Sequence, residues 1–523
     1  MARKKYPIGI QTFEKLIEGG YHYVDKTALI YDLVNTGTCY FLSRPRRFGK
    51  SLLISTLEAY FSGKKELFKG LAIEQLEHEW KTYPVLHLDL SSANYSEPGR
   101  LTDLLSSIIK RWEREYHCEP SDAPPEVRFG EIIEWLYEQT GKKVVILVDE
   151  YDAPLVNLID KPELLEANRD TLSAFYKNIK SNDRYIEFAF LTGVTKFGHL
   201  SVFSALNNLE DISLDENYAT ICGISEQELH TNFDEDVEEM AQANKMTKEQ
   251  CYDKLKLMYD GYHFCEDATG MYNPFSVLSA LKSKRFGYYW FATGTPTALI
   301  LALRDTHADV ASLPGRRIAI DMLSNVNSYQ EDITALLYQS GYLTITGSSP
   351  TGSVVVDFPN DEVRQGFLKQ VVPQYTKFNA LASSTLIDDF RAALLEGDVE
   401  AFIDEMKAFI AGIDYQFFSN TEQAFHFVFM IVCSLMRSDY ITVESERRTN
   451  RGRMDMVFTT PKYIYVFEFK LDKSADEALA QIHERGYAER YATDPRTQFL
   501  VGVNFSTTER NIDDWRCETK NDD

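Results

Sequence analysis

No run of about 18 uninterrupted apolar residues occurs in the chain, so no membrane-crossing helix is expected. The opening Met-Ala-Arg-Lys-Lys-Tyr-Pro is basic, but no apolar signal core follows it. Cysteine is scarce: seven in 523 residues, scattered, odd in number and without a C-x-x-C pair. That excludes a disulfide framework and a zinc cluster and fits the reducing cytoplasm. Positive charge is short as well, with 55 Lys and Arg against 79 Asp and Glu and a formal net charge of −24. A general electrostatic affinity for nucleic acid is excluded, so any such contact must come from a local basic patch. No internal repeat or low-complexity segment is visible. Apolar residues are plentiful at 44%, and the length suggests about three domains, each able to bury a core.

A glycine is missing from the stretch around which the chain is organised, Leu42-Ser-Arg-Pro-Arg-Arg-Phe-Gly-Lys-Ser-Leu-Leu53. An apolar run, Tyr40-Phe41-Leu42, feeds a loop ending in Gly49-Lys50-Ser51, then an apolar helical segment. Strand, loop, G-K-S and helix is what a nucleotide phosphate site needs. Backbone N–H groups surround the phosphates, the lysine reaches the β and γ oxygens, and the serine hydroxyl binds Mg²⁺. In G-x-x-x-x-G-K-[ST] the first glycine falls at Arg44, and Pro45 removes a backbone donor. A basic surface loop is the competing reading.

Upstream, Asp25 in Tyr21-His-Tyr-Val-Asp-Lys-Thr27 reads as the cap of a helix over Ala28 to Val34, or the segment contacts the nucleotide base. Downstream, Pro84 to Ser91 has strand character, Leu101 to Trp112 is an amphipathic helix, and 117–129 is a Pro-rich connector. Lys143-Val-Val-Ile-Leu-Val-Asp149-Glu150 describes a strand buried on both faces that ends in two acids. At that edge of a P-loop enzyme, Asp149 would hold the metal and Glu150 would polarise water. Tyr185 to Gly193 is another buried strand; Thr192 at its end senses the γ-phosphate or simply terminates it. Strands alternating with helices over the first ~215 residues predict one α/β domain with a mainly parallel sheet.

From 222 to 300 the periodicity is helical, with turns at Tyr259-Asp-Gly-Tyr262 and Tyr272-Asn-Pro-Phe275. A helix near 336–343 running into two short strands suggests a small winged-helix-like module. No chemical constellation shows in this middle third. Near the C-terminus, an apolar helical segment from Glu422 to Met436 precedes Glu444 and a basic loop over 447–453. A hairpin follows, with Asp455 on its first strand and Tyr463-Ile-Tyr-Val-Phe-Glu468-Phe469-Lys470 on its second. Period 2 puts Val466, Glu468 and Lys470 on one face, where Asp455 can meet them, as D-x₁₂-E-x-K. Two carboxylates and the Phe469 carbonyl are hard oxygen ligands suited to Mg²⁺, and Lys470 can position or deprotonate a water. The competing reading is a solvent-facing Glu/Lys pair. Arg447, Arg448, Arg451 and Arg453 supply a local phosphate contact, with Gln481 and Tyr487 following on a helix.

With these anchors in place, the chain resembles bacterial AAA-ATPase-like proteins that carry a C-terminal PD-(D/E)XK nuclease domain. The matching segments include P-I-G-I-Q-T-F (7–13), Y-V-D-K-T (23–27), R-P-R-R-F-G-K-S-L (44–52), V-D-E-Y-D-A-P (148–154) and L-T-G-V-T-K-F (191–197). They continue with Y-D-G-Y (259–262), Y-N-P-F-S (272–276), G-Y-L-T-I (341–345), F-P-N-D-E-V (358–363), G-R-M-D (452–455) and V-F-E-F-K (466–470). R-P-R-R-F-G-K-S is that family's own phosphate loop. The resemblance implies ATP binding at Lys50, Ser51 and Asp149, with hydrolysis served by Glu150; Arg47, Phe48, Gly49, Leu52 and Thr192 are the further residues expected at the nucleotide, with Mg²⁺ on Ser51 and Asp149. It also implies a restriction-endonuclease-like fold with Asp455, Glu468 and Lys470 as its active site. Asp455, Glu468 and Phe469 would hold a second metal, which Glu422 on an upstream helix completes, with Glu444 as competitor.

The expected architecture is α/β: a P-loop NTPase domain over 1–215, a helical and winged-helix-like region over 216–375, and a restriction-endonuclease-like α/β domain over 376–523. The expected function is that of a cytoplasmic ATPase whose nucleotide state regulates a Mg²⁺-dependent nuclease acting on DNA or RNA, with no membrane partner and with room for an oligomer. Its rivals are a nucleotide-dependent switch or scaffold that binds nucleic acid or a partner without cutting, and an interaction protein with both sites vestigial.

Overall fold

A computed structural model describes residues 4–156, 158, 161–196, 208–266, 268–291, 313, 315–324, 333–349, 352–367, 380–412, 436, 440–448 and 453–520. At 324, 380–386, 444–448 and 453–455 it describes the backbone alone. The chain forms two units, Met1–Ala308 with Leu313–Val363, and Asp309–Ser312 with Arg364–Asp523.

The first unit is built on strands β1 (Cys39–Ser43), β2 (Val85–Asp89), β3 (Val144–Asp149), β4 (Ile186–Gly193) and β5 (Glu210–Asp211). They form one parallel sheet in the order β2-β3-β4-β1-β5. Every residue of β3 is buried, as a run of five aliphatics requires when helices cover both faces. The crossovers include the helices Lys50–Phe61, Arg100–Tyr116, Pro125–Thr140 and Pro162–Ser181. The Pro-rich connector stops at Pro124 rather than 129, because proline's fixed φ suits the first helical position and Pro125 occupies it. Between these helices Phe129 stacks on Phe175 at 4.3 Å, and Arg128 forms a buried ion pair with Glu113 at 2.6 Å.

Three capped helices follow. Ser225 with Glu228 and Thr247 with Gln250 form capping boxes at the starts of Glu226–Ala243 and Lys248–Tyr259, and Asn273 caps Pro274–Ser283. They enclose a core that includes Phe233, Met240, Leu255, Tyr259 and Leu281. Strands β6 (Ile224–Ser225) and β7 (Met271–Tyr272) pair beside them. The helix Thr334–Gln339 then leads into the hairpin β9 (Thr344–Ser348) and β10 (Ser353–Asp357), to which β8 (Arg316–Ala319) adds a third strand. The turn motifs of this region bond to one another: the Asn360 amide donates to the Asp260 carbonyl at 2.7 Å, and the Asn273 N–H to that of Tyr259 at 3.0 Å.

The second unit holds the helices Ala380–Glu396 and Val399–Ala411 and a sheet of β11 (Thr442–Arg448), β12 (Arg453–Thr459), β13 (Tyr463–Leu471), β14 (Thr497–Ser506) and β15 (Asn511–Lys520). Neighbours follow chain order and are antiparallel, except that β13 and β14 are parallel. A parallel pair needs a crossover, which the helix Ala475–Arg485 supplies. That helix lies so close to β14 that a Cβ at Gly502 would come 2.4 Å from the Ala475 carbonyl oxygen, so only glycine fits there. Alternation along β13 sends Val466 toward Leu479 and Ile482 on this helix, and Phe467 toward Phe402 on the other face. Among the described residues no helix is long and apolar enough to cross a membrane.

Candidate nucleotide and phosphodiester sites

β1 delivers loop 44–49 to the start of the helix Lys50–Phe61, whose free N–H groups lie at the C-terminal edge of the sheet. Gly49 takes φ 96°, a left-handed conformation in which a Cβ would meet nothing within 4 Å; the need for glycine is conformational rather than spatial. Phe48 is buried edge-on against Tyr262 at 4.7 Å, and its carbonyl accepts the Gly223 N–H at 3.2 Å. Ser51, half-buried, and Leu52 occupy the first helical turn.

Lys50 folds back over the loop, its Nζ donating to the carbonyls of Arg44 at 2.9 Å and Pro45 at 3.1 Å. Burial pushes this ammonium down from its ordinary value, and Glu150, Asp149 and Asp152 counter the shift. Arg44, standing where a glycine was expected, turns beneath the loop and is 1% exposed. Its guanidinium donates to the carbonyls of Ser43, Ser213 and Tyr218 at 2.9, 2.8 and 3.1 Å and lies 4.0 Å from the Phe264 ring. Arg47 has φ 68° and lies over Phe275, while the Arg46 carbonyl accepts the Trp290 indole N–H at 3.2 Å. Residues 44–50 therefore carry four cations, and none of them forms an ion pair among the described residues.

Asp149 ends β3, nearly buried, and accepts the Thr192 hydroxyl at 2.8 Å. Thr192 is on β4, which lies between β3 and β1. Glu150 follows Asp149 with φ 52°, a left-handed conformation that costs a non-glycine residue about 1 kcal/mol or more. Burial lifts its carboxyl above the ordinary carboxylate range; Lys50 and Arg46 draw it back, and Asp149 adds to the lift. Asp152, whose role the sequence reading did not isolate, accepts the N–H groups of Val194 at 3.1 Å and Thr195 at 2.7 Å, locking the end of β3 to that of β4. The segment before the loop serves two ends. Asp25 accepts the N–H and hydroxyl of Thr27 at 2.8 and 2.6 Å, fixing the first turn of Thr27–Thr36. Tyr23, Val24 and Lys26 line a cleft of about 640 Å³ that reaches Gly49 and Leu52.

In the second unit, Glu468 is 1% exposed on β13. One of its oxygens accepts Lys470 Nζ at 3.2 Å and also the side-chain amide of Gln481, whose own oxygen accepts Lys470 Nζ at 2.7 Å. Glu468, Lys470 and Gln481 thus form one closed triangle, because the helix Ala475–Arg485 covers the Val466 face of β13. Phe469 pairs with Val503 of β14. Met456 pairs with Phe467, one residue short of Asp455 on β12 and of Glu468 on β13. The Asp455 side chain, and all of Glu422 and Arg451, lie outside the described residues. The basic segment is not a loop at its two ends: Arg447 and Arg448 belong to β11, opposite Met454 and Arg453 of β12, because the chain pairs here as an antiparallel hairpin. Tyr487 lies beyond the helix, which Gly486 ends at φ 62°; its buried hydroxyl is 3.5 Å from the Gln481 amide.

The family described as "Predicted AAA-ATPase" matches residues 7–203, and the PD-(D/E)XK nuclease superfamily matches residues 420–515. A protein of Azotobacter chroococcum mcd 1 described as "Uncharacterized protein in vnfD 5'region" is 33% identical over 523 residues, covering 98% of each chain. The solved structure of the Aeropyrum pernix ORC2 protein in ADPNP and ADP complexes is 12% identical and covers 64% of this chain and 87% of its own. Its TM-score is 0.23, a likeness too weak to bear on the fold. End-to-end identity with the Azotobacter protein and the two matched regions agree with the phosphate-loop and E-x-K geometry, and the chain belongs to the family of AAA-ATPase-like proteins with a C-terminal PD-(D/E)XK nuclease-superfamily domain.

Proposed function

We propose that the first unit binds and hydrolyses ATP on loop 44–51 and that the second cleaves DNA or RNA, with nucleotide state controlling the cut. The observation that carries the reading is the loop's unmatched charge. Lys50 is buried and held by the Arg44 and Pro45 carbonyl oxygens, with no ion pair among the described residues. Buried cations are ordinarily paired, and a polyphosphate supplies the missing anion. Lys50 would exchange its two carbonyl partners for the β and γ oxygens. Glu150, lifted by burial, would orient and polarise the attacking water. The Ser51 hydroxyl and the Asp149 carboxylate fit a divalent cation, as do Asp455, Glu468 and the Phe469 carbonyl in the second unit. Such an ion would neutralise phosphate charge at each site. Lys470, already beside Glu468, would hold or deprotonate the water there, and Gln481 fixes both side chains. The free thiols of Cys39, Cys222 and Cys251 fit a cytoplasmic setting.

The test is incubation of the purified chain with labelled DNA and labelled RNA, in Mg²⁺ or Mn²⁺, with ATP, ADP or neither. Cleavage of one polymer that changes with the nucleotide supports the reading. No cleavage under any condition, with binding retained in Lys470→Ala, would leave a switch or scaffold instead. Cleavage that survives Asp455→Ala would remove the second site from the account.

A further inference from the structure

Of the four cations on the phosphate loop, three have an assigned place. Arg44 is spent on the carbonyls of Ser43, Ser213 and Tyr218, stacked on Phe264 and sealed from solvent. Lys50 occupies the helix start. Arg47, exposed and in the left-handed conformation, is turned to the face of Phe275 at 5.1 Å on the helix Pro274–Ser283.

Arg46 is the fourth. Its backbone is fixed: the carbonyl accepts the Trp290 indole N–H at 3.2 Å, and the Trp290 backbone N–H is held in turn by the buried carboxylate of Glu362 at 2.8 Å. Its guanidinium is half-buried and makes no hydrogen bond or ion pair among the described residues. It lies near enough to the Glu150 carboxyl that its charge is felt there together with that of Lys50. A side chain with five donors, anchored at its root and without a partner among the described residues at its tip, is thus carried by the loop of Lys50 within electrostatic reach of the acid that follows Asp149.

We propose that Arg46 is a catalytic residue of the nucleotide site, an arginine supplied by the phosphate loop itself that bonds the γ-phosphate of ATP through its guanidinium. This rests on the ATP reading above. In the step it serves, a water oxygen forms a bond to the γ-phosphorus and the bond from that phosphorus to the β–γ bridging oxygen breaks. ADP leaves with the electron pair on that oxygen, and the proton lost by the water ends on the released phosphate. Negative charge grows on the bridging and equatorial oxygens as the bond breaks, and a planar fork of donors matches them in a way that a lysine does not. Trp290 acts through Arg46 and is a positioning residue: it holds the peptide from which the guanidinium projects.

The experiment compares wild type, Arg46→Ala and Arg46→Lys by calorimetric titration with ADP and with a non-hydrolysable ATP analogue, and by phosphate release. In Arg46→Ala, turnover is expected to fall by about 10²–10³-fold. The affinity for the ATP analogue should fall about tenfold while that for ADP stays within twofold, because only the γ-phosphate is touched. Arg46→Lys should recover part of the turnover, and guanidinium ion added at millimolar concentration should recover part in Arg46→Ala. Equal losses of ADP and ATP-analogue affinity, or turnover unchanged in Arg46→Ala, would overturn the assignment. Lys50→Ala separates the two levels. If wild type binds neither nucleotide and Lys50→Ala behaves identically, the ATP reading itself fails, and Arg46 fails with it for that distinguishable reason.

Discussion

Thr192 donates its hydroxyl to Asp149 Oδ1 at 2.8 Å, joining the ends of two neighbouring strands at the edge where the phosphate loop begins. Thr192→Val keeps the shape and removes the donor. The expected result is a fall in ATP turnover of roughly ten- to a hundredfold with ADP affinity nearly unchanged, and a loss of about 1 kcal/mol in stability. Phosphate release and nucleotide titration measure both; unchanged turnover would confine Thr192 to a structural part.

Lys50 is a buried ammonium that makes no ion pair among the described residues and is held by the Arg44 and Pro45 carbonyls. Replacing it by Met removes the charge while keeping most of the volume. Lys50→Met should therefore lose about 1–3 kcal/mol of stability without nucleotide, since it leaves the buried Arg44 and Pro45 carbonyls without their donor. Wild type should gain about 2.7 kcal/mol at an ATP concentration a hundred times its dissociation constant, and the variant nothing. Thermal unfolding with and without ATP decides it.

Glu362 shows a pH dependence whose sign can be worked out. Burial lifts its carboxyl to about 7, with Ser276 and the backbone N–H of Trp290 pulling the other way. The folded chain then holds a proton that the unfolded chain releases near pH 4.3, so stability is greatest below that pH and declines as pH rises through about 7. Glu362→Gln mimics the protonated form. It should match wild type at pH 4 and exceed it at pH 8 by about 3 kcal/mol. A difference of the same size at both pH values would refute the shift.

Arg128 and Glu113 pair at 2.6 Å with both side chains only 6% exposed. Arg128→Met alone should cost about 3–5 kcal/mol, because it strands a buried carboxylate. Arg128→Met with Glu113→Leu should recover most of that. Denaturant melts of the two variants test the pair without reference to any activity.

In the second unit, Gln481 bonds both Glu468 and Lys470. Glu468→Gln should reduce metal-dependent cleavage by at least a hundredfold, and Gln481→Leu by about tenfold, since the latter loosens two groups without removing either. Equal effects would place Gln481 among the groups that touch the substrate.

The features legible in the sequence are those written in contiguous chemistry. The aliphatic run before Asp149 reads as a strand because five such residues have no other use, and the period of two along 466–470 places Glu468 and Lys470 together. What was not legible depends on partners far along the chain. Arg44 in a glycine position makes sense only through the carbonyls of Ser213 and Tyr218, and the grip on Arg46 only through Trp290. β5 is two acidic residues, too short for any periodicity. Arg447 and Arg448 looked like loop because their charges hid the strand alternation that pairing with β12 imposes.

The strand that carries the phosphate loop has one consequence for biosynthesis. Cys39 of β1 pairs with Ala189 of β4, so β1 acquires that neighbour only after the 190s have left the ribosome. At roughly 5–20 residues per second the nascent loop waits about 8–30 s after its own emergence. Until then Lys50 is a solvated lysine on an unpaired segment, and no ribosome-bound fragment ending before Gly193 should capture nucleotide.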